Sequence, residues 1–209
     1  MRFPIGVIVV IACALASLTA TGAKANLASP ADPPTHVFTV ADGLNQQRVL
    51  DIAQDADGYL WVATFGGINR IDGKHFESFT TSDGLRENLM ISLTVDDHNR
   101  LWGGDADGGL TLIENGRVTR TFDQPSGATG GGIRAMAQHG DVLYLATDSG
   151  GLQRVHLSDL DAGIQRVPDS PVRLLGIAAG DAKGVYLQSR EQELYYYEPN
   201  RTEPFTLLA

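Results

Sequence analysis

The chain has 209 residues, with 25 Asp and Glu against 16 Lys and Arg and a formal net charge of −9 at pH 7. Such a surface repels phosphate backbones, and no basic run interrupts it, which excludes nucleic-acid binding. The single cysteine, Cys13, excludes an internal disulfide, while the length is ample for one cored domain.

Residues 1–25 read as an export leader. Arg2 gives a positive start, Ile5 to Leu18 form an apolar stretch, and Ala23-Lys24-Ala25 place small residues where signal peptidase inspects the chain. The stretch is shorter than the about 20 apolar residues that a bilayer crossing takes. The alternatives to cleavage after Ala25 are a retained anchor, or a lipoprotein acylated on Cys13 after Val10-Ile11-Ala12. Cleavage delivers the protein to the periplasm, where disulfides are permitted but not required. It also removes Arg2, Cys13 and Lys24, leaving the mature chain still more acidic. Residues 26–36 read as a linker, and 37–209 as the folded part.

The folded part begins with four short strands separated by turns. Val49–Gln54 is apolar-rich, and Asp55-Ala56-Asp57-Gly58 is a tight hairpin turn. Tyr59–Thr64, rich in β-branched and aromatic residues, is the second strand. Phe65-Gly66-Gly67 turns into the third strand, Ile68–Ile71. Asp72-Gly73 then turns into the fourth, His75–Thr80. No stretch beyond the leader sustains a helical period.

These words then recur with a period of about 42 residues, in the range where repeat architectures are found. Asp42-Gly43-Leu44 returns as Asp83-Gly84-Leu85. Leu60-Trp61 returns as Leu101-Trp102, then as Leu143-Tyr144 and Val185-Tyr186. Gly66-Gly67 returns as Gly108-Gly109 and Gly150-Gly151, each followed by an aliphatic residue. Four strands per unit predict an all-β protein of about four four-stranded antiparallel β-propeller blades, near residues 38–78, 79–121, 122–166 and 167–204. One such sheet cannot bury both faces alone, so blades must stack. Trp61, Trp102, Tyr144 and Tyr186 are expected to fill the gaps between neighbouring sheets. The expected core is Val49, Ile52, Leu60, Trp61, Ile68, Phe79, Leu93, Leu101, Trp102, Leu110, Phe122, Leu143, Tyr144 and Leu152.

The stretch FTVADGLNQQRVLDIAQDADGYLWVATFGGINRID resembles the two-component regulator propeller repeat, whose pattern runs Asp-Gly-Leu, Asp-x-Asp-Gly-x-Leu-Trp, Thr-x-Gly-Gly-Leu. FTTSDGLRENLMISLTVDDHNRLWGGDADGGLTLI resembles it too. There Asn99 replaces the turn glycine, Asp105 stands at the threonine position, and one extra residue precedes Gly108-Gly109. The third unit has Ser126-Gly127 in place of Asp-Gly-Leu and lacks the Asp-x-Asp-Gly turn, so its loops should differ. The resemblance implies the extracytoplasmic sensor of a hybrid histidine kinase, diguanylate cyclase or related signalling protein, which binds a ligand or dimerises.

The residues themselves point to no catalytic centre, cofactor or metal. Asp55-Ala56-Asp57-Gly58 opens like a calcium loop, but the fifth place holds Tyr59 and the twelfth Gly66. The histidines His36, His75, His98, His139 and His156 show no metal-ligand spacing. The glycine-rich run 127–132 is followed by neither lysine nor helix, so it reads as an inter-blade loop. If each blade runs from an inner first to an outer fourth strand, second-to-third turns and blade-to-blade connections share one rim. That rim gathers Asn45, Gln46, Gln47, Arg48, Phe65, Arg86, Glu87, Asn88, Asp105, Asp107 and Asp148. Gln47, Arg48, Phe65, Arg86, Glu87, Asn88, Asp105, Asp107 and Asp148 are the candidate ligand-binding residues. They suit a small polar ligand or saccharide, or a protein partner that includes a second copy.

The functional expectation is a non-catalytic input module, tied to a membrane only through a further downstream segment. The alternatives are a lyase or glycosidase using Glu87 with Asp105 or Asp107 as paired carboxylates, and a structural protein-binding propeller. Four blades are the lower limit for a closed ring, and Pro204-Phe205-Thr206-Leu207 resembles the opening of another unit. The sequence therefore reads as the first part of a larger propeller with an exposed last face, prone to association.

Overall fold

The computed structural model describes residues 36–126, 131–181 and 183–209. The expected leader, the linker up to residue 35 and residues 127–130 of the glycine-rich loop lie outside the described residues. Val37–Ala209 form one compact unit.

The unit is four antiparallel sheets of four strands, each strand pairing with the next in sequence. Sheet one contains β1 (Val49–Gln54), β2 (Leu60–Thr64), β3 (Gly67–Ile71) and β4 (Phe76–Phe79). Sheet two contains β5 (Met90–Val95), β6 (Leu101–Asp105), β7 (Leu110–Glu114) and β8 (Arg117–Phe122). Sheet three contains β9 (Ile133–His139), β10 (Val142–Thr147), β11 (Gly151–His156) and the two-residue β12 (Gln165–Arg166). Sheet four contains β13 (Leu174–Ala179), β14 (Val185–Ser189), β15 (Leu194–Tyr197) and β16 (Phe205–Leu207). The segment that resembles a fresh opening at Phe205 is thus the outer strand of sheet four. Among the described residues, helix is confined to three single 3-10 turns, as the missing helical period predicts.

The repeated words have local causes. In Phe-Thr-x-x-Asp-Gly-Leu, Thr39 and Asp42 form a capping box around the first 3-10 turn, and Thr80 and Asp83 repeat it. Gly43 and Gly84 leave those turns at φ 120° and 103°, which a side chain rarely tolerates. In Asp-x-Asp-Gly-x-Leu-Trp, Asp55 Oδ1 accepts from the Asp57 and Tyr59 amides at 3.1 and 2.9 Å, and its Oδ2 accepts from Trp61 Nε1 at 2.8 Å. Asp96 repeats this with His98, Arg100 and Trp102 Nε1. One carboxylate therefore both closes the hairpin and fixes the ring six residues on. These five-residue connections take Tyr59 out of β2. Asn99 stands where Gly58 does, with φ 59° against 89°, since asparagine tolerates the left-handed region. Sheet three, without the motif, turns through Gly140-Asp141 alone, with Gly140 at φ 57°.

The core lies between sheets. Trp61, Ala63, Ile68 and Phe79 of sheet one pack on Met90, Leu93, Leu101 and Ile113 of sheet two. Trp102, Leu110, Leu112 and Phe122 pack on Ile133, Met136, Leu143 and Val155 of sheet three. Tyr144, Ala146, Leu152 and Val167 pack on Leu174, Val185, Leu187 and Tyr197 of sheet four. Trp61, Trp102 and Tyr144 are 3%, 0% and 2% exposed, so three of the four rings fill gaps as expected. Tyr186 does not: it is 39% exposed, because its face of sheet four meets no further sheet among the described residues. Val49 and Ile52, expected in the core, are 44% and 60% exposed. They lie on the face of sheet one that no described sheet covers. Leu60 is half-buried beside Phe38 and Phe76, in a small cluster around Leu44, Val62 and Ile71.

Tyr144 carries a measurable signature of this packing. Burial first, then the nearby Tyr197 phenol, raises its pKa from 10.0 to about 12. A phenol that must stay neutral in the fold contributes its stability fully below pH 10, and that contribution is lost as pH climbs through about 12. Tyr144→Phe is expected to show a shallower fall in Tm across that window than the wild type. Identical slopes in thermal melts would remove Tyr144 as a source of alkaline instability.

Candidate functional site

The rim is built by turns held from below. The residue before each second-to-third turn is a buried polar side chain at the same register: Thr64, Asp105, Thr147 and Ser189, opposite Val49, Met90, Ile133 and Leu174. Thr64 Oγ1 donates to the Gly67 carbonyl at 3.0 Å, and Thr147 Oγ1 to the Gly151 carbonyl at 2.8 Å. Asp105 does the task by accepting, from the Asp107 amide at 2.9 Å and the Gly109 amide at 2.8 Å. Ser189 Oγ accepts from the Glu193 amide. After the first residue of each inner strand, a bulge shifts the register at Leu50, Ile91, Arg134 and Leu175, which turns the chain toward the rim.

The structure brings the connections between sheets beside these turns. The Ala106 amide donates to the Leu89 carbonyl, and the Asp148 amide to the Gly132 carbonyl. The rim side chains fall into three groups. On sheet one, the Arg48 guanidinium lies 4.6 Å from the centroid of the exposed Phe65 ring, a cation–π stack. Gln47 is exposed beside it, its amide taken by the Gln46 side chain. On sheet two, Arg86 is clamped between the buried Asp105 at 2.7 Å and the exposed Asp123 at 2.9 Å. Burial works against the Arg86 charge, but hydrogen bonds to Asp123 and Asp105 outweigh it and hold its pKa above the ordinary value. Glu87 Oε1 accepts from the Asn88 and Leu89 amides, and Asn88 Oδ1 from the Thr81 amide. Asp107 points to solvent. On sheet three, Asp148 pairs with Arg134 and reaches Arg190 of sheet four at 3.7 Å.

Arg134, Asp123 and Arg190 are rim residues that the sequence reading does not name. Arg134 carried a signal: it occupies the bulge where the other sheets place Leu50, Ile91 and Leu175. Asp96, Asp97 and His98 lie close enough to converge on a cation. However, Asp96 Oδ2 already accepts from Trp102 and Arg100, and Oδ1 from two amides.

Comparison with known proteins gives this geometry a context. Residues 43–66 match the family model described as the two component regulator propeller. Histidine kinase P4 of Formosa agariphila is 50% identical over 42 residues, which are 20% of this chain and 3% of that protein. The extracellular domain of the hybrid two component system BT3049 of B. thetaiotaomicron superposes with a TM-score of 0.68 at 18% identity, over 83% of this chain and 26% of that one. That of BT4673 from the same organism gives 0.62 at 20% identity, over 73% and 21%. Residues 43–66 are thus similar to the two-component regulator propeller repeat, and the chain shares its fold with the extracellular domains of those hybrid two-component systems. It spans about a quarter of those solved chains and a few per cent of the curated kinase. Among the described residues no helix is long and apolar enough to cross a membrane.

Proposed function

We propose that this chain is an extracytoplasmic input module of a bacterial signal-transduction protein, exported with loss of residues 1–25. It binds a small polar molecule or saccharide on the rim and performs no chemistry itself, leaving output to a kinase or cyclase domain. The observation that carries this reading is the two-component regulator propeller match over residues 43–66, whose sheet presents the Arg48–Phe65 stack on the rim. An exposed aromatic with a neighbouring guanidinium suits a ligand having both a flat apolar face and hydroxyl or carboxylate groups. The occupied carboxylates argue in the same direction. Asp105 is buried and accepts from two amides and Arg86, while one oxygen of Glu87 accepts from two amides. Neither is poised as the free acid or base that hydrolysis needs.

Calorimetric titration with a panel of oligosaccharides and polar metabolites tests this. The expected result is heat of binding with ligand recovered intact, and at least about tenfold weaker affinity for Arg48→Ala and Phe65→Ala, equivalent to about 1.4 kcal/mol or more. Product formation, or affinities unchanged in both variants, would contradict it.

A further inference from the structure

The hairpin joining β7 to β8 is the two-residue turn Asn115-Gly116, closed by the pairing of Glu114 with Arg117. Both turn residues have positive φ, 50° and 71°, the type I′ geometry that Asn-Gly favours. The turn joins its strands but leaves two of its own groups idle. Among the described residues, the exposed Asn115 carboxamide has no hydrogen-bond partner, and neither has the Gly116 amide. A free amide nitrogen therefore follows directly on a free carboxamide carbon, and glycine puts no side chain in the way.

The other described asparagines lack this combination. Asn45, Asn69, Asn88 and Asn99 engage their carboxamides in hydrogen bonds. Asn200 is exposed, but the nitrogen that follows it, that of Arg201, donates to the Glu198 carbonyl at 3.3 Å.

We propose that Asn115 is a site of spontaneous deamidation, with water as the only co-reactant. The Gly116 nitrogen attacks Asn115 Cγ, and the Cγ–Nδ2 bond breaks. Nδ2 leaves with the proton displaced from the Gly116 nitrogen, as ammonia, and a succinimide ring remains. Water then opens the ring. Opening at Cγ gives aspartate. Opening at the main-chain carbonyl gives isoaspartate, whose backbone runs on through Cβ and Cγ and gains a carbon.

The tip of this hairpin lies in the crevice between sheets one and two. A Cβ on Gly116 would stand 2.6 Å from Arg70 Nη1. Arg70 is itself held by Glu77 at 2.7 Å and lies over the Tyr59 ring. A longer backbone has no slack on that side, and a two-residue I′ turn has none within itself. Isoaspartate at position 115 thus loosens the hold of this hairpin on sheet one. Aspartate, which the I′ turn accepts, leaves the backbone length unchanged.

Peptide mapping by mass spectrometry of the full 209-residue chain, aged at neutral and at mildly alkaline pH, tests this. The peptide carrying Asn115 is expected to be lost before any other asparagine peptide, replaced by aspartyl and isoaspartyl forms. Its loss should be faster at the alkaline pH, where the attacking nitrogen gives up its proton more readily. Isoaspartyl methyltransferase should label that peptide in the aged wild type and not in Asn115→Gly, which keeps a Gly-Gly I′ turn. The isoaspartyl form, separated from the rest, should melt below both the unaged chain and Asn115→Asp. An Asn115 peptide that survives while another asparagine converts would overturn the proposal, and so would equal labelling of the Asn115→Gly peptide. An isoaspartyl form that melts with the unaged chain would overturn the loosening at the tip.

Discussion

Trp102→Ala is expected to lower the stability of the fold by about 3–5 kcal/mol, the range for deleting a buried indole. The ring is completely buried, between Leu110 and Phe122 of its own sheet and Ile133, Met136 and Leu143 of the next. Its centroid lies 5.9 Å from that of Phe122, so truncation opens a cavity on both sides of the interface at once. Collapse is resisted because the backbone on each side belongs to a hydrogen-bonded strand. Urea unfolding followed by circular dichroism measures the loss. A change below about 1 kcal/mol would mean that the ring is not wedged between sheets.

The second large effect is expected at Asp96→Ala, at about 3 kcal/mol, the lower end for removing one partner of a buried ion pair. The Asp96 carboxylate is fully buried and holds Arg100 at 2.7 Å while accepting from two turn amides and the Trp102 indole. Alanine leaves the indole donor and both amides without their acceptor, and Arg100 without its counter-charge. Asp96→Asn should lose less, because a side-chain oxygen remains for the turn. The same urea titration ranks the three proteins, and equal stability of Asp96→Ala and wild type would show that the turn holds without its aspartate.

Much of the fold was legible because its signals are local. Alternating β-branched residues set the strands, paired glycines marked the second-to-third turns, and the repeat itself dictated stacking. The bonds between side chain and turn were harder to see. Asp105 stands out as a departure from threonine, yet it holds its turn by accepting amide protons where Thr64 donates a hydroxyl. A pattern of residue types does not distinguish those two solutions. The link from Asp55 to Trp61 spans six positions and follows no helical or strand period, so the spelling records it without revealing its cause. Val49, Ile52 and Tyr186 mislead for a different reason. Their types are right for a core, but burial belongs to the relation between successive sheets, and the outward faces of sheets one and four have no described neighbour. At the rim, the grouping of turns and connections followed from strand order alone. The clamp of Asp105 and Asp123 on Arg86 depended on distances that no spacing encodes.

Bulky rings are sealed between consecutive sheets, and two of them are the chain's only tryptophans, Trp61 and Trp102. Steady-state tryptophan fluorescence with acrylamide quenching reads both directly, with no other indole to confuse the signal. Rings sealed between sheets give blue-shifted emission that resists quenching until the protein is unfolded in urea. Emission like that of free tryptophan, quenched freely under native conditions, would contradict it.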